Sequence, residues 1–362
     1  MPRHRTALTL ALIGAVTSLG LLGCASRASE SLTEAERVAT RQAQLAQALP
    51  MPSAEQVEAL ERDWVDSARG RAVPARLYLP RAAPGGDARV PLVVVSHGIG
   101  GSRFGYSYLG RHLAAQGYAA LHVQHVGSDN RLWRGSPWDL LERLNGAATE
   151  AEAIARAQDL RFALDQVLAD PALAARLDAT RIAAVGHSYG ANTALLVSGA
   201  RVPGKPALAD ARVKAVVAIS APPFHGYGAP GPILAPIGLP ALHVTAEDDD
   251  IRIPGFFSGV QDRVALYEAM GSPSKRLVVF RDGSHSMFTD RLGTGGSAHN
   301  VAVKRATREL VVAFLDGVWR DRGDALDRWQ TAHTALLSAR ALPVLQAAQA
   351  SPAALPDAAT PR

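Results

Sequence analysis

The chain has 362 residues, of which 48% are hydrophobic and 20% are charged, and its formal net charge is +5. This composition provides enough apolar surface for the core of one large α/β domain or two small ones. The basic excess is mild and is not clustered into a stripe, which argues against a nucleic-acid partner. The single cysteine, Cys24, excludes an intramolecular disulfide.

Residues 1–23 have the pattern of a secretory signal peptide, with a basic start at Arg3 and Arg5 followed by an apolar run over residues 7–22. The run leads into Cys24 through a segment that resembles the cleavage box of bacterial lipoproteins. The resemblance implies that Cys24 is lipidated. Because Ala25 follows and not an aspartate, the resemblance also favours an anchor in the outer membrane. We expect the anchored protein to face the periplasm. The alternatives are a secreted soluble protein and an uncleaved N-terminal membrane helix.

Residues 24–62 have the pattern of a tether with weak helices. Capping-box patterns at residues 33–36 and 53–56 precede two helix-like stretches. From residue 63 the pattern becomes strand-like, and runs at 63–65 and 76–80 flank a turn candidate. We therefore expect an antiparallel hairpin at the edge of a sheet.

Beyond the hairpin, strand patterns alternate with helix patterns. This alternation predicts a mostly parallel, doubly wound α/β sheet in a domain spanning residues 63–325. The remaining residues, 326–362, form an Ala/Pro-rich tail whose end at 351–357 has a disordered composition. Strands are predicted at 92–96, 119–123, 213–220, 241–245 and 276–280, and helices at 106–116, 150–169 and 303–319.

The motif Gly-x-Ser-x-Gly occurs as Gly186, Ser188 and Gly190, between a predicted buried strand and a predicted helix. A serine in such a sharp turn is exposed at the carboxyl end of the sheet, where it can act as a nucleophile. The glycines leave room where side chains would strike the neighbouring strand or helix. The helix N-terminus offers free N–H groups to a developing oxyanion. The alternative, a plain surface turn, is disfavoured by the flanking elements.

A nucleophilic serine requires a base and a carboxylate that orients the base. His285 is the candidate base, because it follows the last predicted strand and lies downstream of the acidic residues. The acid is expected in the run Glu247-Asp248-Asp249-Asp250, which follows the strand at 241–245. His122 and His125 follow an earlier strand and are candidates for lining the pocket.

Two backbone N–H groups are needed to stabilise an oxyanion. One is assigned to Tyr189, directly after the serine, and the other to the Gly-rich stretch 97–101, where Ile99 is preferred and Gly100 is the alternative. A Walker A phosphate loop is excluded, because its Gly-Lys-Ser/Thr is absent. The pair His122 and His125 is too sparse a pattern to predict a metal site.

These features together resemble the α/β-hydrolase superfamily over residues 64–319, and within it the bacterial dienelactone-hydrolase-like and platelet-activating-factor-acetylhydrolase-like serine hydrolases. The resemblance implies that the acid lies three residues after Ala246, at Asp249, with Asp248 and then Asp250 as alternatives. True dienelactone hydrolases have a cysteine where this chain has Ser188. The likeness is carried by Val-Val-Val-Ser-His-Gly-Ile-Gly-Gly-Ser-Arg at 93–103, Gly-His-Ser-Tyr-Gly at 186–190, and the segments 105–109, 117–118, 126–129 and 159–162.

The resemblance implies hydrolysis of carboxylic esters without a cofactor, and we expect a monomer. No long lid insertion is visible, which favours short-chain or acetyl esters. The alternatives are a lipase or phospholipid acyl hydrolase, a polyester hydrolase, a peptidase, and a non-catalytic envelope binding protein. Several apolar residues are candidates either for an acyl pocket or for ordinary packing: Trp133, Trp138, Leu140, Leu141, Phe224, Tyr227, Phe256 and Phe257.

Overall fold

The structure, a computed structural model, describes residues 34–81, 89–292 and 296–339. The chain divides into two compact units, Met1–Ala48 and Leu49–Arg362. In the first unit a helix, α1, spans Glu34–Ala48, where the capping-box pattern at 33–36 predicted one. The signal segment and Cys24 lie outside the described residues.

The second unit is built on one eight-stranded sheet in the order β1-β2-β4-β3-β5-β6-β7-β8. The first three strands of this order pair antiparallel, and the pairs from β4 to β8 are parallel. This is the α/β-hydrolase fold, with the predicted hairpin at one edge. The strands are β1 (Val57–Asp66), β2 (Arg71–Pro80), β3 (Val90–Ser96), β4 (Ala119–Val123), β5 (Leu177–His187), β6 (Val213–Ile219), β7 (Ala241–Asp248) and β8 (Lys275–Ser284).

Helices connect and cover the strands. The crossover from β3 to β4 runs through α2 (Ser107–Ala115), whereas the crossover from β4 back past β3 to β5 runs through α4 (Glu150–Ala169). Right-handed connections therefore place these two helices on opposite faces of the sheet. The helices are α2 (Ser107–Ala115), α3 (Leu140–Ala147), α4 (Glu150–Ala169), α5 (Pro171–Ala174), α6 (Tyr189–Val197), α7 (Gly231–Leu234), α8 (Val260–Ala269), α9 (Ser297–Trp319) and α10 (Ala325–His333).

The order in which the chain adds strands to the sheet reverses between the neighbouring parallel strands β3 and β5, and this places two loops side by side. In parallel sheets of this type, ligands bind where the strand order reverses, at the carboxyl ends of the strands. Ser96 at the end of β3 pairs with Gly186 near the end of β5. The Gly-rich stretch 97–101 and the serine turn therefore leave the sheet next to each other.

The main core lies where the central strands pack against α4 and α6. Every residue of β3 and of β4 is buried, as the continuous apolar runs predicted. Full burial of one Val or Leu side chain contributes roughly 1.5–3 kcal/mol. The central strands are thus a rigid base for the loops at their carboxyl ends.

The predicted tether of residues 24–62 is wrong at its C-terminal end. The Gln56 side chain accepts a hydrogen bond from the Ser53 N–H (3.0 Å), as in a capping box, but the chain then enters β1 at Val57 and not a helix. Burial alternates along β1, and its whole length pairs with β2. Cross-strand pairing thus overrides the local helical tendency.

The predicted tail of residues 326–362 also begins too early. Helix α10 and a 3₁₀ turn at Thr334–Leu336 lie within it. Trp329 is buried, and its indole N–H donates to the Ala306 carbonyl at 2.8 Å. This buried aromatic anchor explains why an Ala-rich segment is ordered there. The predicted disordered end, 351–357, lies outside the described residues.

Candidate active site

The turn between β5 and α6 holds Ser188 in an unusual backbone conformation. Its φ is 56° and its ψ is −127°, a region that residues with a side chain rarely occupy. The Ser188 N–H donates to the Ile219 carbonyl at 2.9 Å, which ties the turn to β6. This strained strand-to-helix turn is the geometry that presents a serine hydroxyl at the end of an α/β sheet.

The two glycines of the motif let backbone pack directly on backbone. A Cβ on Gly186 would lie 1.9 Å from the Gly190 carbonyl oxygen, and a Cβ on Gly190 would lie 2.1 Å from the Ser96 carbonyl oxygen. Neither position can accept a side chain without moving the main chain. A Cβ on Gly98 would lie 3.2 Å from the Ser188 Cβ, so the Gly-rich loop faces the serine directly.

His285 follows the last residue of β8. Positive φ angles at Asp282 (53°) and Gly283 (85°) turn the chain just before it. The Ser188 hydroxyl lies 2.8 Å from His285 Nε2, and His285 Nδ1 lies 2.6 Å from Asp249 Oδ1. The structure therefore brings the predicted serine, base and acid into one chain of hydrogen bonds.

Asp249 differs from its acidic neighbours in its burial. Asp248 and Asp250 are exposed, whereas Asp249 is fully buried and is the member of this run bonded to His285. Its other oxygen accepts a hydrogen bond from the Thr245 hydroxyl at 2.7 Å. Burial alone would raise the pKa of Asp249, but the hydrogen bond and charge of His285, together with the Arg263 guanidinium, hold this pKa well below its usual range.

Buried groups that the sequence analysis did not identify hold the His285 turn in place. The Lys304 ammonium, which is fully buried, donates to the carbonyl oxygens of Met287 (2.5 Å) and Arg291 (2.9 Å). The Tyr108 hydroxyl donates to the Phe288 carbonyl at 2.9 Å. Both contacts join residues distant in the chain, so no local sequence pattern signals them.

In the loop after β3, the peptide that joins Gly98 to Ile99 has its carbonyl group hydrogen-bonded within the loop. The Gly98 carbonyl accepts hydrogen bonds from the His97 ring (2.7 Å) and from the Gly101 N–H (3.0 Å). In a trans peptide the N–H points opposite to the C=O, so the Ile99 N–H points away from these partners. Among the described residues, no acceptor is assigned to this N–H.

The second predicted donor has the same arrangement. The Ser188 carbonyl accepts the Ala191 N–H at 2.8 Å, so the Tyr189 N–H of the same peptide plane points in the opposite direction. This N–H is in the first turn of α6, and no described acceptor is assigned to it. Among the described residues, the N–H groups of Ile99 and Tyr189 thus have no assigned acceptor, whereas the Gly100 N–H donates to the Ser128 carbonyl at 2.8 Å.

His187 connects these parts through a buried ring. The Tyr106 hydroxyl donates to His187 Nδ1 at 2.8 Å, and His187 Nε2 donates to the His285 carbonyl at 2.9 Å. Burial, and secondarily the charge of His285, lowers the pKa of His187 to about 3. A neutral His187 therefore supports the His285 backbone across the physiological pH range.

The prediction that His122 and His125 line the pocket is wrong. Both rings are buried, and the His122 ring donates to the Gly105 carbonyl at 3.0 Å. His125 lies between Ser96 Oγ (2.9 Å) and Asp159 Oδ2 (3.0 Å), forming a second Ser–His–Asp group inside the domain. Both histidines are structural because they have no access to solvent.

The predicted acyl-pocket residues fall into different environments. Phe224 and Tyr227 pack against the main core. The Trp133 indole donates to the Gly100 carbonyl at 2.7 Å, so this ring covers the Gly-rich loop. Trp138 is 92% exposed and Phe257 is 66% exposed. Of these residues, Trp133 is the one that the hydrogen bonds place beside the serine site.

In the part of the chain that the structure describes, no group of three His, Cys, Asp or Glu side chains could hold a metal ion. No helix among the same residues is both long and apolar enough to cross a membrane.

Comparison with known proteins gives one family match. The family model of platelet-activating factor acetylhydrolase, isoform II, matches residues 80–130. This segment contains β3, the Gly-rich loop and β4. No curated protein matches the chain.

Solved esterase structures are similar to the chain. A ferulic acid esterase from Streptomyces cinnamoneus is 25% identical, and the match covers 72% of this chain and 88% of that one, with a TM-score of 0.48. A cold-adapted esterase from an Arctic intertidal metagenomic library is 19% identical, with coverage of 64% and 86% and a TM-score of 0.44.

The strand order and the family match agree with each other. The match includes the Gly-rich loop that follows β3, and Gly98 of this loop faces the strained serine turn. The sheet has the strand order of the α/β-hydrolase fold, and the family match supports a carboxylic ester hydrolase.

Proposed function

We propose that Ser188, His285 and Asp249 are the catalytic triad of a serine esterase that works through an acyl-enzyme intermediate. The observation that carries this proposal is the unbroken hydrogen-bonded chain from Ser188 Oγ through the imidazole to the buried Asp249 carboxylate. It begins at a strained turn that faces two open backbone donors.

In the proposed mechanism, His285 Nε2 takes the hydroxyl proton as Ser188 Oγ attacks the ester carbonyl. The N–H groups of Ile99 and Tyr189 stabilise the oxyanion of the tetrahedral intermediate. The imidazolium returns the proton to the leaving alcohol, and the acyl group remains on Ser188. His285 then activates a water molecule, which releases the carboxylic acid and restores the serine. Asp249, held ionised, stabilises the imidazolium and its tautomer.

We propose short-chain or acetyl esters as substrates. The family model over residues 80–130 describes an acetylhydrolase. The Trp133 ring lies on the Gly-rich loop beside Ser188, which limits the space for a long acyl chain at that side. We further propose that the enzyme is a monomer with a lipid anchor at Cys24, placed in the outer membrane and facing the periplasm. The lipoprotein-like segment at residues 21–24 supports the anchor.

The first test compares initial rates on p-nitrophenyl esters from acetyl to palmitoyl, for wild type and Ser188→Ala. We expect the highest kcat/KM with acetyl or butyryl esters and no turnover above background in the variant. A fluorophosphonate probe should label wild type and fail to label Ser188→Ala. Full activity in Ser188→Ala would disprove the triad, whereas a preference for palmitoyl esters would favour a lipase that acts on membrane lipids.

The anchor has its own test. Radioactive palmitate should label the protein expressed in a bacterium and should not label a Cys24→Ser variant. Equal labelling of both proteins would contradict lipidation at Cys24.

A further inference from the structure

We infer that Arg156 is a positioning residue that holds both backbone donors of the oxyanion hole in place; this inference rests on the proposed function. Arg156 lies on α4 and is fully buried. Its guanidinium lies behind the serine turn and contacts the two segments that carry Ile99 and Tyr189.

The first set of contacts reaches the Gly-rich loop. Arg156 Nη2 donates to the His97 carbonyl, and the N–H of that same peptide, on Gly98, donates to the Tyr106 hydroxyl at 3.3 Å. The peptide that precedes Gly98 is therefore held from both sides. Arg156 Nη1 donates to Ser128 Oγ at 2.6 Å, and the Ser128 carbonyl accepts the Gly100 N–H. The two ends of the loop around Ile99 are thus attached to one guanidinium.

The second set of contacts reaches the serine turn. Arg156 Cζ lies 4.5 Å above the centre of the Tyr189 ring. Arg156 Nε donates to Thr193 Oγ1 at 3.0 Å, and the Thr193 hydroxyl donates to the Tyr189 carbonyl at 3.1 Å. The residue that supplies the second N–H is therefore held at its ring and at its carbonyl by the same side chain.

Two carboxylates balance the charge of Arg156 from a distance. Ser128 Oγ donates to Glu152 at 2.8 Å, and Glu152 accepts a hydrogen bond from Arg71, which also binds Asp159. Burial lowers the pKa of Arg156 to about 10, so the side chain remains charged at neutral pH. No carboxylate among the described residues contacts the guanidinium directly.

This arrangement has a consequence for catalysis. A buried positive charge without a directly bonded anion favours negative charge nearby, because the interior dielectric is low. The oxyanion that forms beside Ile99 and Tyr189 is the negative charge that develops in the reaction. We therefore expect Arg156 to affect the transition state more than the binding of a neutral ester.

The test measures kcat and KM for p-nitrophenyl acetate, and the inhibition constant of an alkyl trifluoromethyl ketone, whose adduct with Ser188 carries an oxyanion. In Arg156→Lys the charge is kept but the planar fork is lost. We expect kcat to fall about 10²-fold, with the inhibition constant weakened by a similar factor. KM should change little. Arg308→Lys is the matched control, since Arg308 is also buried and donates to the Pro50 carbonyl, far from the loop in sequence.

A kcat and an inhibition constant within about threefold of wild type in folded Arg156→Lys would overturn the inference. Ser188→Ala distinguishes this outcome from a failure of the proposed function. If Ser188→Ala is inactive, the proposed triad stands; if it is active, the triad itself is wrong. If Arg156→Lys does not fold, Ser128→Ala and Thr193→Val each remove one hydrogen bond of the guanidinium. Each should lower kcat by up to about tenfold without raising KM, and unchanged kcat in both would equally overturn the inference.

Discussion

The molecule contains two Ser–His–Asp groups, each linked by two short hydrogen bonds. In the first, Ser188, His285 and Asp249 are linked at 2.8 and 2.6 Å. In the second, Ser96, His125 and Asp159 are linked at 2.9 and 3.0 Å. The hydrogen-bond distances alone do not distinguish the group at the carboxyl edge of the sheet from the group inside it.

The two groups differ in access and in backbone. The His285 side chain is 20% exposed, whereas all three members of the second group are fully buried. Ser188 sits at a strained turn with open N–H donors beside it, whereas Ser96 ends the regular strand β3. Arg156 also donates to Ser96 Oγ at 3.2 Å, which occupies a lone pair that a nucleophile would use. A nucleophile requires exposure and an oxyanion site in addition to its triad partners.

The largest expected difference is between the effects of substituting the two aspartates. Asp249→Asn should lower kcat about 10⁴-fold, because the imidazole loses its correct tautomer, with a smaller effect on folding. Asp159→Asn removes a buried carboxylate that contacts Arg71 and His125, and should destabilise the protein by about 3–5 kcal/mol. Steady-state kinetics and urea unfolding of both variants check this. A stable but inactive Asp159→Asn would contradict the structural role of Asp159 and hence this comparison.

A smaller effect is expected from a substitution in the Gly-rich loop, which faces Ser188 of the first group. Gly100 has a φ of 71°, and a Cβ there would lie 2.4 Å from the Trp133 ring. Gly100→Ala should displace the loop and lower kcat about 10²-fold, since the Ile99 donor moves with it. Gly204→Ala is the control, because Gly204 also has positive φ (73°) but open space around it. Equal losses in both variants would mean that the effect is general strain.

Ser96→Ala also removes one hydrogen bond of Arg156, so it should lower activity no more than Ser128→Ala does, and it should measurably lower stability. Its hydroxyl bonds His125 and Arg156 in a buried site, and leaving those groups unsatisfied costs about 1–3 kcal/mol. We expect kcat within about tenfold of wild type and complete fluorophosphonate labelling. Loss of labelling in Ser96→Ala would show that Ser96, or both serines, is the reactive one.

The smallest effect concerns the dependence of stability on pH. Burial, and then the charges of Arg156 and Arg71, lower the pKa of His125 well below its usual range. In the unfolded chain the His125 imidazole binds a proton near pH 6.5, whereas in the folded chain it stays neutral. His125 therefore makes the stability fall as the pH drops below about 6.5. In His125→Gln the free energy of unfolding should fall less steeply as the pH drops. Its slope against pH should be smaller than that of wild type by up to about 1.4 kcal/mol per pH unit. Urea unfolding at pH 7, 6 and 5 measures the slope. An unchanged slope would contradict a neutral His125.

The fold and the positions of the site residues were largely predictable from sequence, because each followed a strand with a clear pattern. Helix α4 was predicted at 150–169 and spans Glu150–Ala169. The choice of Asp249 came from a resemblance, since four consecutive acids have the same local signal. Burial separates them in the structure, and burial depends on strands β7 and β8 together.

The buried charges were not predicted, although the sequence contains a signal. Glu152, Arg156 and Asp159 repeat at helical spacing, and Arg156 stands one turn before Leu160 in the apolar stripe of α4. A charge within such a stripe must find buried partners. Those partners come from Ser128, Thr193 and β2, which no local pattern identifies.

The segment after α9 has a consequence for solubility. Strand β8 is the last strand of the sheet, and an uncovered edge of this kind can pair with another chain. Here Leu337 bridges Phe280, and the Ser338 N–H donates to the Val279 carbonyl at 2.9 Å. The chain thus covers part of its own edge strand against intermolecular β-pairing, and we expect a protein shortened to residue 324 to aggregate even with Ser188, His285 and Asp249 intact.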